Sequence, residues 1–141
     1  METIYSIQDP ERVLHKICRW SDFGQGRGKN FRDNISSKDE PLQLGMIVGQ
    51  QDRHFPAHYH LPVERITETT QECWVVITGR VMVSYYDVDN ELIDSAVLFP
   101  GDCFISYAGG HEYKILENDT FVYEFKTGPY VGKAEDKEFI K

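Results

Sequence analysis

The chain has 141 residues, of which 40% are hydrophobic and 13% aromatic, and its formal net charge is -8 at pH 7. This length fits one domain with a core of its own. The negative charge argues against a nucleic-acid partner, which needs a basic face, and against an anionic membrane surface. No apolar stretch is long enough to span a bilayer, and the N-terminus lacks the features of a signal peptide. A cytoplasmic protein is therefore expected.

The cysteine pattern agrees with that expectation. The chain has three cysteines, Cys18, Cys73 and Cys103, which are far apart and never in CxxC spacing. An odd number of scattered cysteines is typical of reduced, buried side chains in a cytosolic protein.

A short helix is expected near the N-terminus. Asp9 is a suitable N-cap residue and Pro10 suits a first helical turn. Apolar residues then follow at helical spacing: Val13, Leu14, Ile17 and Cys18. This pattern predicts an amphipathic helix over Asp9–Arg19 with His15 on its solvent-facing side. Residues 21–41 are polar and rich in glycine, which favours a loop or an arm.

From Leu42 onward the sequence reads as short strands separated by turns. Alternating apolar residues predict a strand over Leu42–Val48. Further strands are expected around the following positions: 58–60, 73–86 as two strands meeting at Gly79, 92–99, 103–107, 111–116 and 120–126. Regular short strands with turn signals predict an all-β sandwich or barrel. The expected organisation is an N-terminal helix and arm over residues 1–41, a barrel over 42–126 and a tail over 127–141.

Four side chains form a candidate metal site. His58 and His60 would point to the same side of a strand, because alternate residues of a strand share a face. Glu72 opens an apolar strand, and His111 follows a pair of glycines far downstream. Imidazoles together with one carboxylate suit a divalent first-row metal.

The order of these motifs resembles the cupin superfamily. His58-Tyr59-His60 matches the HxH of its first motif, and Glu72 to Gly79 matches E-x6-G. Pro100-Gly101 resembles the turn that opens the second motif, and His111 matches that motif's histidine. The resemblance implies a double-stranded β-helix, or jelly-roll barrel, with His58, His60, Glu72 and His111 as inward-pointing ligands of Fe, Mn, Ni, Cu or Zn. It also implies a homodimer, for which the Leu42–Val48 strand is a candidate edge.

The carboxylate ligand has two candidates. Eleven residues separate His60 from Glu72, where the general motif has three or four. Glu64 lies at the general spacing, but a glutamine then stands where the motif's glycine should be. Glu72 is preferred because Trp74 and Val76 would share its face of the strand.

Several functions stay open at this point. The first is a metal-dependent enzyme, an oxygenase or isomerase acting on a small polar or sugar-like molecule. The second is a non-catalytic small-molecule binding protein, and the third is a metal-free protein resembling sugar-nucleotide isomerases or epimerases. The third needs an inward histidine with a tyrosine or aspartate partner.

Arg65, in the loop before Glu72, is a candidate to bind a substrate carboxylate or phosphate, unless the loop is only a solvated connection.

Overall fold

In the computed structural model the regular secondary structure is mostly antiparallel β-strand, as the sequence predicts. The structure describes the backbone of residues 1–141 and the side chains of residues 1–22 and 26–141. The strands are β1 (Glu2–Tyr5), β2 (Val13–Cys18), β3 (Phe31–Asn34), β4 (Gly45–Val48), β5 (Glu72–Thr78), β6 (Val81–Tyr86), β7 (Leu92–Leu98), β8 (Cys103–Ser106), β9 (Gly110–Ile115) and β10 (Phe121–Lys126). A 3-10 helix covers Trp20–Gly26 and helix α1 covers Lys133–Asp136. Among the described residues, no helix has the length and apolar character needed to cross a bilayer.

The strands form three sheets. A five-stranded sheet has the order β1-β2-β8-β5-β10, a three-stranded sheet has the order β7-β6-β9, and β3 and β4 form a separate ribbon. In the described part of the chain these sheets do not close into a barrel. The main core contains buried side chains from both larger sheets, among them Ile17, Val76 and Phe104 from the first and Val83 and Leu98 from the second. Burial of these apolar side chains between two sheets is the main source of stability.

The turn between β5 and β6 depends on glycine. Gly79 has a φ of 76°, in the left-handed region that glycine adopts without steric cost. A Cβ atom at this position would lie 2.1 Å from Oγ1 of Thr120. The glycine that ends the E-x6-G motif therefore allows the chain to reverse tightly against Thr120.

The predicted helix over Asp9–Arg19 is wrong, because this segment contains strand β2 (Val13–Cys18). β2 lies between β1 and β8 and is covered on both sides. Its two faces therefore both carry apolar residues: Ile17 lies in the main core, and Cys18 lies in a second cluster on the other face of the sheet. Apolar residues on both faces imitate the spacing of an amphipathic helix.

The second cluster contains all three cysteines. Cys18, Cys73 and Cys103 are free and buried, as the sequence predicts. A hydrogen bond to Cys103 and burial both raise the pKa of the Cys18 thiol. The three cysteines pack as small apolar residues in this cluster, and the raised pKa makes Cys18 a poor nucleophile.

The predicted strand around residues 58–60 is wrong as well. Residues 50–69, called the histidine arm below, contain no strand and are all exposed. Pro56 and Pro62 flank the histidine pair, and proline cannot donate a backbone hydrogen bond to a strand partner. The arm begins just after β4 and ends just before β5.

Candidate functional site

Glu72 and His111 meet between the two larger sheets. Glu72 is the first residue of β5, in the five-stranded sheet, and His111 is the second residue of β9, in the three-stranded sheet. Nε2 of His111 lies 3.2 Å from Oε1 of Glu72. Two side chains that are distant in the sequence, and that were both predicted to be ligands, are therefore adjacent.

The register of the strands places Glu72 in a polar row at one end of the sheet. Ser106 lies opposite Glu72 on β8, and His15 lies opposite Ser106 on β2. Lys126 of β10 lies opposite Glu72 on its other side. The next inward row contains the apolar side chain of Phe104. One end of the interior between the sheets is therefore polar and the rest is apolar.

His15 belongs to this polar row and is not the solvated surface residue predicted from the sequence. It is completely buried. Its Nδ1 lies 3.1 Å from Oγ of Ser106, and its Nε2 lies 3.3 Å from the carbonyl oxygen of Tyr86. The carbonyl can only accept a hydrogen bond, so Nε2 carries the proton and Nδ1 accepts from Ser106. Burial lowers the pKa of His15 to about 4, so the ring is neutral at pH 7.

Glu72 is buried but anionic. Burial of the carboxyl group opposes its ionisation. The hydrogen bond from His111 and the charges of His111, Lys137 and Lys126 have the larger combined effect, and they lower the pKa of Glu72. A buried carboxylate that keeps its charge is a suitable metal ligand.

Aromatic side chains lie beside His111 of the Glu72–His111 pair. The indole of Trp74 stacks on the ring of Tyr113 with a centroid distance of 3.9 Å. The rings of Tyr113 and His111 lie 5.2 Å apart. Among the described residues, the buried Nδ1 of His111 and the buried hydroxyl of Tyr113 have no hydrogen-bond partner. Buried polar atoms without partners are uncommon in native proteins, so both atoms have a hydrogen-bonding capacity that no described residue uses.

His58 and His60 lie together on the histidine arm. Their ring centroids are 5.3 Å apart in an edge-on arrangement. Nδ1 of His58 lies 2.9 Å from the carbonyl oxygen of Pro56, which fixes the proton on Nδ1 and leaves Nε2 free to bind a metal. In the described part of the structure, no three His, Cys, Asp or Glu side chains are placed to hold a metal ion. The four predicted ligands thus occur as two separate pairs.

Glu64 and Arg65 also lie on the histidine arm. Both are exposed, and Nη1 of Arg65 donates to the carbonyl oxygen of Val63 at 3.3 Å. One cleft, of about 600 Å³, is lined by Lys16, Gln71 and Tyr107 among others. Neither Arg65 nor Glu72 lines this cleft.

Comparison of the chain with protein-family models, with curated proteins and with solved structures gave no match. Function is therefore inferred from the geometry and chemistry of the site.

The C-terminal segment passes close to the site, which the sequence did not indicate. Oδ1 of Asp136 accepts a hydrogen bond from Thr70 at 2.6 Å, and Nζ of Lys126 lies 4.0 Å from Oδ2 of the same aspartate. The side chain of Ile140 lies so close to Gly110 that a Cβ atom there would be 2.4 Å from Cδ1 of Ile140. These contacts of Asp136 and Ile140 hold the C-terminal segment beside both Glu72 and His111.

Two aromatic residues of the site were recognisable from strand periodicity. Trp74 lies two residues after Glu72, and Tyr113 lies two residues after His111. Residues i and i+2 of a strand share a face, so each aromatic side chain follows a predicted ligand into the interior. The sequence gave no comparable signal for Ser106 or for the tail.

Proposed function

We propose that the protein is a metal-binding protein of the cupin type that holds a divalent first-row metal with His58, His60, Glu72 and His111. The observation that supports it best is the meeting of Glu72 with His111 in a polar end of the interior. Glu72 is anionic, and the buried Nδ1 of His111 lacks a partner. One carboxylate with imidazole donors is a ligand set that Fe, Mn, Ni, Cu and Zn all accept.

The histidine arm would complete this ligand set by pairing with β9. β9 is an outer strand of its sheet, and the free edge of a strand is a template for a further strand. The arm is exposed, and the segment between Pro56 and Pro62 is free of proline. Docked there as a strand, it would carry His58 and His60 on one face, beside His111. The added strand would also move the sheets toward the jelly-roll arrangement.

A bound metal would act as a Lewis acid, for an isomerase, or as an oxygen-binding centre, for an oxygenase, toward a small polar or sugar-like molecule at positions that the protein leaves open. We propose an oxygenase or isomerase activity of this kind. The chain itself supplies the charge of Glu72 and an aromatic wall formed by Trp74 and Tyr113. The rings of Trp74 and Tyr113 stack on one another, and the hydroxyl of Tyr113, which has no hydrogen-bond partner among the described residues, would bind a polar group of that molecule.

Metal affinity of three variants tests the proposed ligands. His60→Ala removes one imidazole and Glu72→Gln removes the only anionic ligand. Each should weaken metal binding at least about ten-fold, because even the loss of a residue that only supports a ligand costs that much. The matched control is Glu64→Gln, which removes the same charge from the exposed arm and should bind as the wild type does. Metal titration and elemental analysis of protein without a polyhistidine tag give the readout, and a metal-dependent rise in Tm confirms binding to the native state.

Two outcomes of that experiment would contradict the proposal. If Glu64→Gln loses the metal and Glu72→Gln retains it, the carboxylate ligand is Glu64 on the histidine arm. If His60→Ala still binds metal at full occupancy, the histidine arm is not part of the metal site.

A metal-free acid–base enzyme is the second candidate. It is favoured by the Glu72–His111 contact with Tyr113 alongside, and by the separation of the arm histidines from this pair. Such a site would transfer protons on a sugar-like molecule through a carboxylate and an imidazole. Tag-free protein that contains no metal, and whose Tm does not respond to Zn²⁺, Mn²⁺ or Fe²⁺, would favour this candidate over the first.

A further inference from the structure

A second cleft, called the outer cleft below, opens on the outer face of the five-stranded sheet. Its volume is about 460 Å³, within the range of pockets that bind small molecules. Cys18 of β2 and Cys103 of β8 form part of its wall, and the segment that ends in β4 contributes Leu44, Met46 and Val48. The proposed metal ligands are not among the described residues that line it. The outer cleft is therefore a site of its own.

The wall of the outer cleft is mostly apolar. Leu44 and Met46 pack against the cluster that contains Cys18 and Cys103, and their alternation along the chain turns them to the same side. Buried thiols behave as small apolar groups, and the flexible side chain of methionine adapts to the shape of a bound molecule. Such a wall binds an aliphatic chain better than a polar molecule.

Arg27 adds a positive charge to the outer cleft. Its side chain lines the cleft and is exposed. In the part of the chain that the structure describes, no carboxylate forms an ion pair with Arg27. Lys29 and Arg32 follow it, and residues 27–32 include no acid. On a chain with a net charge of -8, this segment is a local positive region that attracts an anion, and a guanidinium binds a carboxylate with two parallel hydrogen bonds.

We propose that the outer cleft binds a straight-chain aliphatic carboxylate. The alkyl chain lies against Leu44, Met46 and the two thiols, and the carboxylate pairs with Arg27 at the exposed side. Burial of the chain supplies most of the affinity, about four-fold for each methylene. The exposed ion pair adds about three- to five-fold and fixes the orientation of the ligand.

Calorimetric titration tests both parts of the ligand. Decanoate, hexanoate and decanol are titrated below their micelle concentrations, with a chelator present so that no carboxylate binds through a metal. Shortening the chain from decanoate to hexanoate should weaken binding by about two orders of magnitude. Arg27→Gln should weaken the binding of decanoate about three- to five-fold and leave that of decanol unchanged, because the alcohol carries no charge.

The matched control is Arg12→Gln. Arg12 is also exposed and lines the cleft of about 600 Å³, so this variant removes the same charge from the other cleft and should bind decanoate as the wild type does. Equal affinity for hexanoate and decanoate would overturn the proposal. So would a loss of decanoate affinity in Arg12→Gln without one in Arg27→Gln.

Tryptophan fluorescence locates the bound chain independently. Trp20 lines the outer cleft and is 57% exposed, so decanoate should shift its emission to shorter wavelengths as water is displaced. Trp20→Phe should lose this shift, because the remaining tryptophan, Trp74, lies on the inner face of the sheet. Unchanged emission of the wild type at saturating decanoate would contradict the proposed site. Arg27 is not a proposed metal ligand, so metal titration of Arg27→Gln tests the other proposal separately.

Discussion

Phe104→Ala is expected to lower the free energy of unfolding by about 3–5 kcal/mol, the range for removal of a fully buried phenylalanine. Phe104 is 0% exposed and lies at the centre of the core between the sheets. Its ring stacks on His15 at 5.2 Å and meets the edge of Tyr113 at 6.0 Å. The truncation leaves a cavity beneath the polar row, so the site should lose order together with the core.

Urea denaturation of the purified variant measures this effect. The control is Phe139→Ala, because Phe139 is 69% exposed near the C-terminus. Its stability should change by less than about 0.5 kcal/mol, as is usual for surface substitutions. Similar losses in the two variants would contradict the packing of the two sheets around Phe104.

The second large expected effect is a fall in the free energy of unfolding at acidic pH that depends on His15. Burial lowers the pKa of His15 from 6.5 to about 4. Between these values the unfolded chain binds a proton and the native protein does not, so stability falls as the pH is lowered through this window. A pKa difference of about 2.5, at about 1.4 kcal/mol per unit, amounts to about 3.5 kcal/mol, of which about 3 kcal/mol is lost by pH 4. The lowered pKa of Glu72 adds a further loss as the carboxyl group is protonated at lower pH.

The slope of stability against pH tests the role of His15. The wild type should lose about 1.4 kcal/mol per pH unit near pH 5. His15→Gln removes the titrating group and should flatten the slope, even if it lowers stability at pH 7. His54→Gln is the control, since His54 is exposed on the arm, and it should keep the wild-type slope. An unchanged slope in His15→Gln would show that other groups govern the acid transition.

The strands from β5 onward were predictable because clear turn signals separate them along the chain. Glu72 is an example: its alternation with Trp74 and Val76 placed it on the inner face, and the structure has it there. The N-terminal segment misled because β2 is covered on both faces and follows Asp9 and Pro10, which resemble a helix start. Apolar residues at Ile17 and Cys18 then lose the period of two that marks a strand.

The candidate site was predictable only in part. The spacing of Glu72 and His111 within recognised motifs indicated that they belong together, and they are in contact. His58 and His60 were assigned to a strand on local alternation alone, but a strand forms only where another strand supplies hydrogen-bond partners. The burial of His15 depends on Ser106 and Tyr86, which are distant in the sequence. No local pattern reveals contacts of that kind.

Hydrogen exchange of the histidine arm with and without metal tests the proposed assembly of the site most directly. Saturating Zn²⁺ should slow the exchange of backbone amides at residues 57–61 and along the outer edge of β9, because docking pairs these groups. His111→Ala should abolish this protection. Zn²⁺ bound at one equivalent while residues 57–61 still exchange as an unstructured chain would contradict a site shared between the arm and the Glu72–His111 pair.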